Sequence, residues 1–562
     1  MNIGVIGWWN NGNQGDFAIL DSVTRALAPQ RVVPIDVPFL ITPDEIARLN
    51  QLDFLIFGGG GLLTTSPAVP FDTFDAWGSE LHTPIGIVGL GVDEVKPEYQ
   101  CAVQQLLDRA TFAFVRDTTS RRLLNHPKVQ TMPDVTFFQP YTTTPHPVAS
   151  ARPICGVNLR SLAPADRQQW IAALQALPLQ LRGVPLATYS TFEELEILRA
   201  IDPQLSGAFA YTAFQSLDLM IGTAFHSVIF SIQAGVPVIA IGYAPKVERL
   251  MIELGLGDYL LKTDEWHRLP ALVERVVKEH DQIAARLCEF TTQLSQTTQQ
   301  IMQEVRRTVE AAPARPASGP RVSIVLIGSD SAEATGLTLE SCLQQTYSNT
   351  EIIWVTSTEQ QAAAASVKQA HCAGSASPAQ RINRGLRLAG GEYVTWIRAG
   401  DRYALDAIAV LADRLRREPA HAVVYADFYS LREPRCIAFH RPAEDAGKLT
   451  RRNVVGPCFL FRRMLCGELN LLDEQTSLPV YDFWLRAHQV ERLLPIHARL
   501  MYCWQPHSST DDRTAERQTR RQWRSTQSLP TRTVGNIIDT AIVEASVVQP
   551  LMKLRRRLKS RQ

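Results

Sequence analysis

Along residues 1 to 310, short apolar runs alternate with stretches of helical periodicity, the pattern of parallel strands covered by helices. "NIGVIGWW", "RVVPIDVP", "LDFLIFGGGG", "PIGIVGLG" and "TFAFVRD" read as five strands. After "PYTTTPHPVASARP" the alternation restarts with "ICGVNLR", "QLRGVPLAT", "LDLMIGTAF" and "VPVIAIGY". Two Rossmann-like halves follow, about 1–145 and 152–310, with a cleft between them. Residues 264–310 read as helical and run into "AAPARPASGP", a composition that predicts an extended linker over 311–320. A third α/β unit opens at "RVSIVLIGSD" and passes through "NTEIIWVTS", "GEYVTWIRAGD" and "AVVYADF" to about His507. Residues 508–562 form a polar and basic tail with too little apolar content for a core of its own.

A chain of 562 residues exceeds what one core supports, which agrees with several units. Its 45% hydrophobic and 20% charged residues exclude a mainly disordered or collagen-like protein. The nine cysteines are scattered without paired CxxC spacing, which suits reduced thiols and a cytoplasmic setting. "MNIGVIGWWNNG" has no basic region ahead of its apolar one, so it reads as a first strand and not as a signal peptide. The longest stretch without a charged residue, Leu219 to Pro245, contains a His, a Gln, two Pro and several Gly, and reads as buried strand-helix-strand. Net charge is +1, but residues 511–562 hold twelve Lys or Arg against five Asp or Glu, so the tail carries +7 and the rest about −6.

Ligands of open α/β sheets bind at the carboxyl ends of the strands, where glycines let backbone come close. "NNGNQGD" (10–16) follows the first strand and precedes a helix expected to start near Phe17, so the amides around Asn13 and Gly15 could face an anion. "GGGG" (58–61), with Gly59 and Gly60, ends another strand. Four cations stand at strand ends: Arg116, Arg160, His226 and Lys246. Each alone has an ordinary structural explanation, such as Arg116 paired with Asp117 or Asp134. As a set they predict a ligand with several negative charges.

"NNGNQGDFAILDSV", "DFLIFGGGGLL", "FAFVRDTTSRRLL", "PDVTF" and "HSVIFSIQAGVPVIAIGYAPKVERLMIELGL" together resemble the polysaccharide pyruvyltransferase family over nearly all of residues 1–260. The resemblance implies a two-domain fold of glycosyltransferase B type, phosphoenolpyruvate as donor substrate, no resident cofactor, and a sugar hydroxyl as acceptor. It also implies that His226 is the general acid or phosphate-leaving partner, with Asp16 the second candidate for proton handling or else a helix cap. The family's segment reads Arg-x-His; here it is Ala224, Phe225, His226, which removes one expected anion contact.

The third unit, 321–507, resembles inverting family-2 glycosyltransferases of the A-type fold through "VSIVLIGSD", "TLESCLQQTYSNTEIIWVTS", "SPAQRINRGLRLAGGEYVTWIRAGDRY", "VVYADFY", "NVVGPCFLFRRML" and "DFWLRA". The family's two acidic residues after the second strand are replaced by Thr356 and Ser357, and its metal-binding Asp-x-Asp by Arg398, Ala399 and Gly400, with Asp401 following. Asp482 matches the acceptor-deprotonating base, completed by Trp484 and Arg486. Asn383, Asp427 and His507 match positions expected around nucleotide and acceptor. The acceptor side is retained and the donor side altered, so a divalent metal and a nucleotide sugar are open for this unit.

These readings give an α/β chain whose first unit pyruvylates a cell-envelope or exopolysaccharide glycan while its third binds or extends it. The alternative is a non-catalytic glycan-binding or assembly protein with decayed sites. The expected partners are a glycan or lipid-linked glycan and, through "EASVVQPLMKLRRRLKSRQ", the anionic inner face of the membrane. Nucleic acid is not expected, because the basic residues are confined to a tail without a reading module. An arginine at position 398 repels a divalent cation, at ~4 kcal/mol per unit of cation charge for ~4 Å and an effective dielectric of 20. Titration of uridine or guanosine diphosphate should therefore give the same binding with and without manganese; strong enhancement by manganese would make the third unit a metal-dependent transferase.

Overall fold

The computed structural model describes residues 1–9, 12–37, 41–63, 74–140, 152–160, 162–187, 194–205, 209–314, 319–357, 367–432, 437–504 and 519. His507 and, apart from residue 519, the basic tail lie outside them. The first sheet contains β1 (Asn2–Gly7), β2 (Arg31–Asp36), β3 (Phe54–Leu63), β4 (Ile85–Val92), β5 (Ala110–Val115) and β6 (Val129–Thr131), in the order β2-β1-β3-β4-β5-β6. All its pairings are parallel. The second contains β7 (Ile154–Asn158), β8 (Gln180–Gly183), β9 (Leu219–Gly222), β10 (Val238–Gly242) and β11 (Leu260–Lys262), ordered β11-β10-β9-β7-β8 and again parallel. Helices cover both faces, which is why strands such as β4 are apolar without alternation and buried throughout.

The third sheet is mixed. Its parallel part joins β12 (Val322–Ile327), β13 (Thr350–Thr356), β14 (Val367–His371) and β15 (Tyr393–Arg398). It continues through β16 (Arg402–Tyr403), β17 (His421–Arg432), β18 (Ile437–Arg441), β19 (Phe459–Arg462) and β20 (Arg492–Trp504). β19 runs antiparallel to β15 and β17, whereas β20 runs parallel to β17 with several register shifts. The expected α/β architecture, two Rossmann-like halves followed by a further α/β unit, is present, and the mixed character of the third sheet is added by the structure.

Local details differ from the sequence reading. The first helix spans Gln14–Leu27 and starts before Phe17, because Asn13 is its N-cap and accepts the Gly15 amide at 3.1 Å. Asp16 therefore lies in the first turn and is not the cap. The four glycines 58–61 sit inside β3 and do not end it. Gly59 and Gly60 have left-handed φ of 63° and 73°. A Cβ on Gly59 would lie 2.1 Å from Ile19, so the glycine lets the first helix pack directly on the strand.

A 31-residue helix, His280–Glu310, ties the first unit together. Ile283 and Leu287 near its start join the core of the second sheet. Met302, Val305 and Val309 near its end pack with Ile3, Val5 and Val23 beneath the first.

The first and third units meet across buried charge. Arg48, on helix Pro43–Leu49, donates to both oxygens of Asp406 at 2.6 and 2.8 Å and to the Arg499 carbonyl at 3.2 Å. Glu45 accepts from Arg499 at 3.3 Å, and the Tyr429 hydroxyl donates to Asp36 at 3.0 Å. Arg48 and Asp406 side chains are each 4% exposed. Burial opposes the Arg48 charge, but Asp406 and Glu45 more than offset it and raise its pKa. Asp406→Ala would leave a buried guanidinium without its main counterion, a loss of ~3 to 5 kcal/mol. Calorimetry should show the first unfolding transition of this variant shifted down by several degrees, and an unshifted transition would mean that the contact does not hold the units together.

Candidate anion site at the strand ends

The four cations all lie just beyond parallel strands. Arg116 directly follows β5, and Arg160 lies two residues beyond β7. His226 and Lys246 are each the second residue of the helix that follows β9 and β10, Phe225–Gln233 and Pro245–Glu253. All four therefore stand at the carboxyl ends of parallel strands, the ligand-binding edge of this architecture.

His226 sits at the join between the two halves. A Cβ on Gly15 would lie 2.1 Å from its Nδ1, so the imidazole packs against a position that admits no side chain. On its other side, Nε2 is 3.7 Å from Asp134 Oδ2, within ion-pair reach but longer than a hydrogen bond. Asp134 Oδ1 accepts from the Thr136 amide and hydroxyl at 3.1 and 2.8 Å, which leaves Oδ2 to face the histidine. Burial pushes the Asp134 carboxyl up, but His226 and Arg116 outweigh it and hold the pKa at about 2.

Arg116 has a 4%-exposed side chain whose Nε is buried without a hydrogen-bond partner. Its closest ion pair is Asp117 Oδ2 at 3.9 Å. Asp117 is itself engaged, capping the next helix through the Ser120 amide at 2.6 Å and facing Arg249 at 3.7 Å. Arg160 faces Glu194 Oε2 at 3.8 Å, and its amide donates to Thr223 at 2.9 Å. Burial raises the Glu194 pKa against the opposing pull of Arg160 and the Leu186 and Ala187 amides. Lys246 is held below the ordinary lysine range, by burial first and also by the charges of Arg116 and Arg160. Among these cations the described buried carboxylates are Asp117, Asp134 and Glu194, a setting whose charge suits an anionic ligand.

Of the first-loop amides expected to face an anion, those of Gln14, Gly15 and Asp16 are engaged, and Asn10 and Asn11 lie outside the described residues. The Gln14 amide donates to the Leu186 carbonyl at 2.8 Å, Gly15 to the Asn13 side chain, and the Asp16 amide to the Asn13 carbonyl at 3.1 Å. These bonds dock the first helix on the second half. Gly60 serves close approach too, since its Cβ position lies 3.4 Å from Asp16 Oδ1. The amides of Gln14, Gly15 and Asp16 are thus engaged within the fold.

Residues 13–245 match the family model of the polysaccharide pyruvyl transferases. That span holds three of the four cations and ends one residue before the fourth, Lys246. No curated protein matches the chain. Among solved structures, S. aureus TarS 1-349 in complex with UDP is 13% identical, covering 37% of this chain and 67% of its own, with a TM-score of 0.32. The mannosyltransferase PcManGT from Pyrobaculum calidifontis, in complex with GDP-Man and Mn2+, is 16% identical, covering 38% and 66%, with a TM-score of 0.29. Likenesses this distant carry no argument about the site.

Beyond the matched span, the third unit uses several of its motif residues for structure. Trp484 is fully buried and stacks on Trp396 at 5.6 Å, so it shapes the core and offers no face to a substrate. The Asn383 amide donates to the Leu472 carbonyl and Glu474, both at 2.9 Å, and accepts the Leu472 amide at 3.0 Å. Arg486 bonds Asp482 at 2.7 Å and the carbonyls of Leu469 and Leu471. Asn470 and Leu471 have left-handed φ of 55° and 65°, so Asn383 and Arg486 clamp a strained turn beside Asp482. Asp427 accepts from His440 and the Ala443 amide, both at 2.7 Å. Arg398 is exposed at the end of β15, and Asp401 is buried nearby. Among the described residues no group of three or more His, Cys, Asp or Glu could hold a metal ion, and no helix is long and apolar enough to cross a membrane.

Two residues of the first site carry no sequence signal. Glu194, in "TFEELE", reads as an ordinary helix start, and Phe225 reads as one apolar residue among many. Only the fold sets them against Arg160 and Arg116.

The low Asp134 pKa fixes a pH dependence. A carboxyl depressed on folding contributes stability that is present above its unfolded pKa and lost as pH falls through the folded value. Asp134 should contribute ~2 kcal/mol above pH ~4 and lose it towards pH ~2. Thermal melts from pH 6 to 2.5 should show a steeper acid loss for wild type than for Asp134→Asn; parallel curves would rule out the ionised pairing.

Proposed function

We propose that the first unit transfers the pyruvyl group of phosphoenolpyruvate to a sugar hydroxyl of a polysaccharide, and that the third unit engages the same glycan. The observation that carries this reading is the placement of Arg116, Arg160, His226 and Lys246 at the carboxyl ends of strands in both sheets of the first unit, within or beside the matched family span. Phosphoenolpyruvate brings a phosphate and a carboxylate, enough negative charge to be shared by several cations.

In the proposed chemistry a general acid protonates the donor methylene and a sugar hydroxyl attacks the resulting cation, losing its proton. Phosphate then leaves and a second hydroxyl closes the ketal, its proton passing to solvent or base. His226 is the proposed acid or the partner of the leaving phosphate, with ionised Asp134 positioned to balance imidazolium charge. Half-buried Asp16, one residue after the glycine that His226 contacts, is the proposed second proton carrier.

The third unit is proposed as a glycan-engaging domain in which Asp482 remains the residue to test for acceptor contact. Paired with Arg486 beside a clamped turn, it is held in one place. We also propose the basic tail as a contact with anionic membrane at the cytoplasmic face.

Calorimetric titration of phosphoenolpyruvate should give saturable binding to wild type. His226→Ala and Lys246→Ala should each weaken it about tenfold or more, since a charge-assisted contact contributes ~1.5 to 3 kcal/mol. Absence of wild-type binding at millimolar ligand would remove the pyruvyl-donor reading.

A further inference from the structure

We infer that Phe225 is a positioning residue for the donor site, holding the Arg116 guanidinium in one plane so that it presents a fixed edge to an oxyanion group of the ligand. The inference rests on the donor reading above and adds a residue that neither the motif pattern nor the charge pattern identifies.

The Arg116 Cζ lies over the Phe225 ring, 4.4 Å from its centroid. This is within the range of a cation–π contact, which is stronger when desolvated. Phe225 is 5% exposed, so the contact is shielded from water. Gly91, in β4, packs against the same guanidinium: a Cβ there would meet Nη2, Cζ and Nε at 2.2, 2.3 and 2.3 Å. Three nearly equal distances mean that the guanidinium plane, not its edge, faces Gly91. Neither neighbour offers a hydrogen-bond acceptor from its side chain. Orientation is thus fixed by faces, while Nε is buried without a hydrogen-bond partner and the closest carboxylate is 3.9 Å away.

An arginine held flat keeps its planar fork of donors, which matches carboxylate and phosphate geometry, without losing side-chain freedom when ligand binds. The Phe225 ring also meets the His226 ring edge to face, 5.3 Å apart at 88°. One aromatic side chain therefore sets the relative placement of two of the four cations. It stands at the middle position of the Ala224-Phe225-His226 segment, beside the alanine that cannot reach an anion.

The test is calorimetric titration of phosphoenolpyruvate and of inorganic phosphate into the full chain, for wild type, Phe225→Leu, Phe225→Tyr, Arg116→Ala and the Phe225→Leu/Arg116→Ala double variant. Phe225→Leu should weaken phosphoenolpyruvate binding by roughly five- to tenfold, and Phe225→Tyr, which keeps the ring face, should stay within about twofold of wild type. In the Arg116→Ala background Phe225→Leu should add less than about twofold, because the two act through one contact. A merely structural role would give the same loss in both backgrounds, and that result overturns the inference, as does wild-type affinity in Phe225→Leu. If Phe225→Leu melts well below wild type, Phe225→Met, which fills a similar volume without a ring face, takes its place with the same expectations. Wild-type protein that binds no phosphoenolpyruvate overturns the donor reading itself; wild-type binding with an unaffected Phe225 variant overturns only the role of this ring.

Discussion

The two halves of the first unit meet where the start of helix Gln14–Leu27 touches the start of helix Phe225–Gln233, and the contact leaves no room for a side chain at position 15. The site depends on this approach. With Gly15 against Nδ1, the His226 imidazole is held between the first helix of one half and Asp134 at the edge of the same cleft. Glu194 works on the neighbouring contact. It accepts from Asn158 at 2.9 Å and from the Leu186 and Ala187 amides, and the Leu186 carbonyl in turn takes the Gln14 amide. A buried carboxylate of the second half thus fixes the segment that docks the first helix, while its other oxygen faces Arg160. Charge placement and half-to-half docking are one network, so changes made for binding would also act on geometry.

A second buried network joins the first unit to the third. Arg48, Asp406, Glu45 and Arg499 sit where helix Pro43–Leu49 meets β20, and each charge has a partner of opposite sign. Buried pairs of this kind are weak evidence for stability against an apolar alternative but strong evidence for a specified arrangement, because a shifted interface would leave several charges unpaired. The Asp36 carboxylate, at the end of β2, takes both the Trp9 amide and the Tyr429 hydroxyl, so the interface reaches the strand-end edge of the first sheet.

In the third unit, positions that match a transferase motif are structural in this chain. Asn383 and Arg486 hold the turn at residues 469–472, whose left-handed Asn470 and Leu471 would otherwise cost ~1 to 3 kcal/mol each. Trp484 closes the aromatic cluster with Trp396, Phe459 and Phe461. What this edge presents to solvent is Arg398, where the resembling family places carboxylates. A motif thus served the fold at least as much as a ligand.

The parallel strands of the first two sheets were legible because both of their faces are buried, which writes β1, β4, β7 and β10 as unbroken apolar runs bounded by turns. The strand ends followed from those runs, and with them the positions of Arg116, Arg160, His226 and Lys246. Short edge strands such as β6 and β11, and the irregular β20 with its Pro495, lack that signature because pairing, not pattern, makes them strands. Whether a loop amide is available could not be read at all. The "NNGNQGD" amides look open along the chain, yet Leu186, some 170 positions away, takes one of them. The same limit hides Glu194 and Phe225, which have no local pattern. The sequence by itself determined which residues stand at strand ends, since periodicity and chain order encode that locally. Only the tertiary structure decided which carboxylate faces which cation and which glycine admits an imidazole, because those contacts join segments that local pattern cannot relate.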